Sequence, residues 1–327
     1  MSFTTKARTA ARLPYTETAD KLNLVLRAIH EDILGCECLL SILSGAIMSY
    51  RIDSVLRPYP PMFMKMDGEK DIDKLRETLN RTPRLRDMGR TSVDSDVIDL
   101  LHWCFCSLPF KVISRDKSLM PGADYLLEFV PSEQQERLFE KARLAASQSP
   151  LISAYHGTKI ENVFSILNCG LLTYMNKVGI FGSGTYLTTE QRVAQMFTNR
   201  GPVWPRSSLG SHLRCVVVCD TIADHPDVRW TENNNKQNKH NVPDKYILVK
   251  NNSVLKVRYL MLYATKAPRQ QGTPATLSPS RSRLWSFARN NISFLALMMY
   301  GFVLLCINLP SCKPLKQIWS KMYHNFE

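Results

Sequence analysis

Acidic residues are in short supply: 29 Asp and Glu stand against 42 Lys and Arg in 327 residues, a net charge of +13. That excess points to nucleic acid or an anionic membrane surface as counter-charge. Aromatic residues interleaved with Lys and Arg along a sheet, the mark of an RNA-binding face, are missing, so nucleic acid is not expected. Cysteine is scarce as well. Nine scattered Cys cannot make the scaffold of a disulfide-stapled protein of this length. His102, Cys104 and Cys106 form one H-x-C-x-C corner, but no second ligand pair at zinc spacing follows, and no metal is expected. Residues 1–16 hold no apolar segment, so no secretory signal peptide is expected. The dinucleotide fingerprint G-x-G-x-x-G after a strand is missing too. Hydrophobic residues at 44% and charged residues at 22% lie near the globular average, which excludes wholesale disorder.

One long apolar run is present. Ile292 to Leu309 is 18 residues without a charge. As a helix it would be about 27 Å long, enough for a thin bilayer. It is apolar all round, unlike a surface helix, and Trp285 and Trp319 flank it at interface depth. A single C-terminal transmembrane helix is predicted over 292–309, with a short lumenal tail over 310–327. Residues 266–283 carry three Pro, three Ser and four basic residues with no acid, so 266–291 reads as a basic tether lying against an anionic leaflet.

Two textures divide the rest. Up to residue 112 the pattern is helical. Leu22, Leu26, Ile29 and Ile33 recur at helical spacing, Leu39, Leu43 and Ile47 continue it, and shorter helices are predicted over Asp71 to Leu79 and Asp94 to Cys106. Over 113–265, strands are predicted at Tyr125 to Val130, Leu151 to Tyr155, Leu213 to Cys219, Tyr246 to Val249 and Val257 to Tyr263. Two helices interrupt them, with capping boxes expected at Thr158-x-x-Glu161 and Thr188-x-x-Gln191; Gly170 should end the first. Strands outnumbering helices imply an α+β domain with a mixed or antiparallel sheet.

Three motifs in that domain carry chemistry. Tyr155-His156-Gly157-Thr158 ends a strand just before a helix. The turn Phe181-Gly182-Ser183-Gly184 leads into Thr185-Tyr186-Leu187, with Tyr186 thirty residues after His156. A later strand begins at Tyr246. In this order and spacing they resemble the catalytic domain of the poly(ADP-ribose) polymerase family, the diphtheria-toxin-like ADP-ribosyltransferases. The helical region with SYRIDSVLRPYP and the apolar tail make the chain similar to that family's tail-anchored mono-ADP-ribosyltransferase branch.

The resemblance implies NAD⁺ as substrate, with no metal. It implies His156, Tyr186 and Tyr246 as the catalytic triad. His156 would hold the adenosine-side ribose, Gly157 would grip the nicotinamide carboxamide with its backbone, and Tyr186 and Phe197 would stack on the cationic pyridinium, as aromatic faces attract cations. Residues 174–181 correspond to the loop over the nicotinamide pocket, and the Asn-rich stretch before Tyr246 to the loop nearest the acceptor. Two departures stand out. Polymerising members carry Glu where Tyr246 stands, and a phenol lacks the charge to activate the hydroxyl of a growing chain. Ala194 replaces a Ser that bonds the carboxamide in many members. The implied output is one ADP-ribose per site, on cytosolic-facing proteins and on the enzyme itself. Stress-sensor kinases and a nuclear-transport receptor are the implied acceptors, at the endoplasmic reticulum membrane and nuclear envelope, in endoplasmic-reticulum stress signalling. The alternative is a weak or dead NAD⁺ or ADP-ribose-binding scaffold at the same membrane.

Overall fold

Period-3.6 apolar spacing in the first third and β-branched runs beyond residue 150 yield helices and then a sheet, as the texture change predicts. A computed structural model describes residues 14–147, 149–172, 182–230 and 246–265, all within one compact unit, Met1–Arg269. The tether, the apolar run over 292–309, the tail and the loop over 174–181 lie outside the described residues.

Helices α1 (Pro14–Glu31), α2 (Ile33–Ile47), α3 (Ile52–Val55), α4 (Ile72–Arg81) and α5 (Ser95–His102) form the first part. There follow β1 (Lys111–Arg115), β2 (Tyr125–Val130), α6 (Glu133–Ala145), β3 (Leu151–Thr158), α7 (Ile160–Cys169), β4 (Thr185–Thr188) and α8 (Gln191–Met196). The chain continues through β5 (Gly201–Pro202), β6 (His212–Ile222), β7 (Val228–Trp230), β8 (Tyr246–Val249) and β9 (Leu255–Thr265). The strands form one sheet in the order β1-β2-β9-β6-β3-β4-β8-β7, with β5 beside β6, and every pairing is antiparallel.

The two textures share one core. The buried apolar cluster runs from Val25 and Leu40 through Phe164 and Trp204 to Val217 and Leu260, so residue 112 marks a change of secondary structure within a continuous interior. Helix α2 sits at its centre. ILGCECLLSILSGAI has no polar face and is buried from Gly35 to Ile47. Polar side chains tie this helix to the sheet. Asp32 caps α2 through the Gly35 amide (2.8 Å) and accepts from the amide and hydroxyl of Ser114 on β1, both at 2.7 Å. The buried Glu37 accepts from the Ser208 amide (3.1 Å) and the Ser207 hydroxyl (3.2 Å). Desolvation pushes its carboxyl pKa up, and those two bonds oppose the shift.

Local expectations needed several corrections. Three helices, not two, interrupt the strands: α6 escaped because its sequence is mostly charged and only Phe139 is buried. Its start carries the one capping box found at these sites, Ser132 with Gln135. The boxes expected at Thr158 and Thr188 are absent. Thr158 completes β3, Lys159 stands at the helix cap position without a side-chain cap, and Glu161 is drawn to Ser49 and Arg51. Thr188 accepts from the Glu190 amide, while Gln191 reaches the Tyr263 hydroxyl at 2.8 Å. The helix expected to run to Cys106 ends at His102 and widens into a π turn over Trp103–Ser107. Edge strand β1, short and charged at both ends, was not anticipated.

Candidate active site

The site lies where the sheet parts. Strand β3 pairs with β6 at eight positions but with β4 at a single one, Tyr155 opposite Thr188. Beyond that point β3 and β4 have no ladder, and a side chain spans the gap: His156 Nδ1 is 2.9 Å from the Tyr186 carbonyl oxygen. A carbonyl only accepts, so Nδ1 carries the proton. Burial lowers the His156 pKa below the usual imidazole value, and the bond to Tyr186 opposes this. The ring is therefore neutral at pH 7, and Nε2 is left with a lone pair that accepts a hydroxyl proton.

Alternation distributes the remaining residues. Thr188 is paired with Tyr246, and Tyr186 with Leu248. Paired residues and residues two apart share a face, so Tyr186 and Tyr246 point the same way. Tyr155 and Gly157 join that face, while His156 points to the other, toward α7. Phe197, just past α8, completes the aromatic group: its ring meets Tyr246 edge to face, centroids 6.2 Å apart at 72°, and it is 55% exposed. The Tyr186 hydroxyl donates to the Gly182 carbonyl (2.8 Å), bracing the ring against its own turn. That turn needs Gly184, whose φ is 156° and whose Cβ would lie 2.8 Å from the Val249 carbonyl oxygen.

Gly157 is required for a reason the motif does not reveal. A Cβ there would lie 1.8 Å from the Ala194 carbonyl oxygen and 3.0 Å from Phe197 Cβ. The bare backbone lets α8 seat against β3 and so places Phe197. The Ala194 methyl is fully buried, in an apolar cluster with Leu126, Val216 and Met261. All five expected site residues thus gather around the parting of β3 and β4, His156 on one face and Gly157, Tyr186, Tyr246 and Phe197 on the other. None carries a carboxylate. Flat, neutral, half-open rings suit a planar cation, and a neutral imidazole acceptor suits a sugar hydroxyl.

Beneath His156 is a cavity of about 110 Å³ lined by Arg51, Ser54, His156, Thr158, Asn162 and residues of α7. Sequence reasoning missed Arg51, Thr158 and Asn162 as site residues. Asn162 follows Thr158 at a one-turn interval and donates to its hydroxyl (3.1 Å); Arg51 arrives from another part of the chain and left no local signal. At the H-x-C-x-C corner, burial holds the Cys104 thiol pKa well above the usual range, and no group of three or more His, Cys, Asp or Glu is placed to hold a metal among the described residues.

Residues 27–105 match the family described as the ARTD15 N-terminal domain. The chain is 29% identical to the mouse protein mono-ADP-ribosyltransferase PARP16, over 90% of this chain and 96% of the mouse protein. It is 28% identical to the human protein of the same name, with the same coverage. The similarity to these two mono-ADP-ribosyltransferases runs across both the helices and the sheet of this chain.

Proposed function

We propose that this protein transfers a single ADP-ribose from NAD⁺ to side chains of other proteins and of itself. The observation that carries the reading is the parted sheet. A neutral His156 faces one side with a free acceptor nitrogen, and Tyr186, Phe197 and Tyr246 form an aromatic group on the other. NAD⁺ laid across the edge would place its pyridinium on the rings and a ribose hydroxyl on His156. The bond from C1′ to the nicotinamide nitrogen breaks, nicotinamide leaves neutral, and an acceptor oxygen or nitrogen takes C1′ and gives up its proton to water. The site's work is to hold the bent donor in that geometry.

Tyr246 governs the product. With no carboxylate at this position, incubation with labelled NAD⁺ should give discrete single additions that resist enzymes specific for ribose–ribose bonds. Tyr246→Phe, which removes only a hydroxyl, should retain part of the activity. Tyr246→Glu should not become an efficient polymerase, because a polymerase must also seat an ADP-ribose end. Long ladders from the unmodified protein would contradict single transfer. The buried methyl of Ala194 favours a second reading, an NAD⁺ or ADP-ribose-binding scaffold: binding without any transfer would establish it over the enzyme.

The apolar run over 292–309 and its basic tether support a tail anchor that holds the catalytic unit at the cytosolic face of the endoplasmic reticulum and nuclear envelope. Among the described residues no helix is long and apolar enough to cross a membrane. Acceptors are then proteins exposed to that face, among them stress-sensor kinases and a nuclear-transport receptor, and the process is endoplasmic-reticulum stress signalling. Full-length protein should stay with membranes in alkaline carbonate, and removal of residues 284–327 should release a form that still transfers ADP-ribose. Release of the full-length protein by carbonate would end the anchor proposal.

A further inference from the structure

Phe197 is the most exposed ring of the aromatic group, and its position is borrowed. It follows α8 directly, its amide donates to the Ala194 carbonyl of that helix, and its ring is 55% exposed. Where α8 lies decides where the ring lies. The helix is a weak element in itself, six residues long, with Glu190 at the cap position making no side-chain cap. Its placement has to come from outside.

The sheet supplies two anchors. One is the bare Gly157, which admits the Ala194 carbonyl. The other is at the first residue of the helix, where Gln191 Nε2 donates to the Tyr263 hydroxyl at 2.8 Å. Tyr263 lies near the end of β9, only 7% exposed, and is held on several sides. The guanidinium of Arg214, its partner on β6, stands 5.6 Å from its ring centroid. Asp124 pins the strand around it: its amide donates to the Leu262 carbonyl (2.9 Å) and its carboxylate accepts from the Ala264 amide (2.8 Å). The Tyr263 hydroxyl also meets the Met261 sulfur, at 3.9 Å, a weak acceptor. The chain at Pro121 and Gly122 closes around the amide of Gln191. Nε2 is 3.5 Å from the Pro121 carbonyl oxygen, and Gly122, at φ 99°, leaves the room: a Cβ there would come within 3.1 Å of Nε2. Gln191 and Ala194 are three residues apart and share one side of the helix, so the two anchors together fix its rotation about its own axis. Any rotation of α8 would carry Phe197 away from Tyr246, whose ring it meets at 6.2 Å.

We propose that Gln191 is a positioning residue for nicotinamide recognition: bonded to Tyr263, it sets the rotation of α8 and so aims Phe197 at the face shared with Tyr186 and Tyr246. The identity of the ring bound there rests on the transferase reading. Gln191 acts through Phe197 and needs no contact with the donor.

The test uses the full-length protein, with nicotinamide and ADP-ribose as separate probes in calorimetry and transfer kinetics alongside. Gln191→Ala and Tyr263→Phe should each weaken nicotinamide about three- to tenfold and raise KM for NAD⁺ by a similar factor, with kcat close to that of the parent and ADP-ribose affinity unchanged. The double variant should lose little more than either single one, because both remove the same bond. A tyrosine hydroxyl donates as well as accepts, so Gln191→Glu keeps the bond with its direction reversed and should recover most of the loss; Gln191→Asn, one methylene shorter, should not. In a Phe197→Ala background, Gln191→Ala should change nicotinamide affinity little, since the ring it aims is gone. A merely structural role would lower the melting temperature and the active fraction, hence kcat, and leave the nicotinamide affinity of folded molecules untouched. Parent-like nicotinamide affinity in both single variants, an equal loss of ADP-ribose binding, a Gln191→Glu loss as large as that of Gln191→Ala, or a full further loss in the Phe197→Ala background would each overturn the proposal. Nicotinamide binding that depends on Gln191 and Tyr263 in a parent that transfers nothing would end the transferase reading and leave this one standing. Transfer by the parent, with full nicotinamide affinity in both single variants, would do the reverse.

Discussion

Gly157→Ala is expected to abolish ADP-ribose transfer and to lower the melting temperature by several degrees. The added Cβ would lie 1.8 Å from the Ala194 carbonyl oxygen and 2.9 Å from its carbonyl carbon, and both are backbone atoms that no rotamer change can move aside. Strand β3 cannot readily retreat, because Gly157 is in register with Val216 as the seventh of eight positions paired to β6. Helix α8 must therefore move, against the fully buried Ala194, and it carries Phe197 with it. Overpacking of this kind costs about 1–3 kcal/mol or more, and in a unit of this size each kcal/mol lowers the melting temperature by about 2–4 °C. Thermal unfolding and a labelled-NAD⁺ assay on the same preparation read both effects. A variant with the parent's melting temperature would show that α8 does not seat on β3 as described.

Tyr186→Ala should remove most nicotinamide recognition. The ring supplies one face for the pyridinium, and cation–aromatic contacts of this kind are worth about 1–2 kcal/mol, or roughly five- to thirtyfold in affinity. The substitution also deletes the hydroxyl that braces the Gly182 turn, so the surroundings loosen as the ring goes. Tyr186→Phe separates the two effects: it keeps the ring, loses one hydrogen bond, and should cost about 0.5–1.5 kcal/mol. Phe197→Ala should be milder than Tyr186→Ala, since that ring is 55% exposed and gives up less contact. Titration with nicotinamide measures all three. Parent-like affinity in both alanine variants would remove Tyr186 and Phe197 from the binding face.

Much of the architecture was legible because its signals are local. A continuous apolar run with three consecutive Val specifies the strand containing LRCVVVC, and the YLLEFV and YILV strands were located residue for residue. The periodic leucines and isoleucines of α1 and α2, and the stop at Gly170, were equally plain. Where local signals competed, the reading slipped. Thr158 and Glu161 have the spacing of a capping box, yet Glu161 gains more from an arginine and a serine of the helical region than from a backbone amide beside it. Helix α6 was missed for the opposite reason: only Phe139 of its 13 residues is buried, so its apolar period is faint and its capping box was the better clue.

For the site, the chain order carried the residue types and the spacing from His156 to Tyr186, because strand ends and turns are written in short stretches. It did not carry the partnerships. That β3 leaves β4 after one pair, that a histidine then bridges the gap, and that Gly157 is bare to admit α8 all depend on strand order and register, which arise from contacts between distant segments. Arg51 is the extreme case. More than 100 residues separate it from Glu161 and Asn162, and only the packing of α2 into the shared core brings its guanidinium to the cavity beneath His156. Side-chain chemistry belongs to the residue and is visible in one dimension; which groups meet belongs to the fold, because burial of a common apolar interior sets those distances.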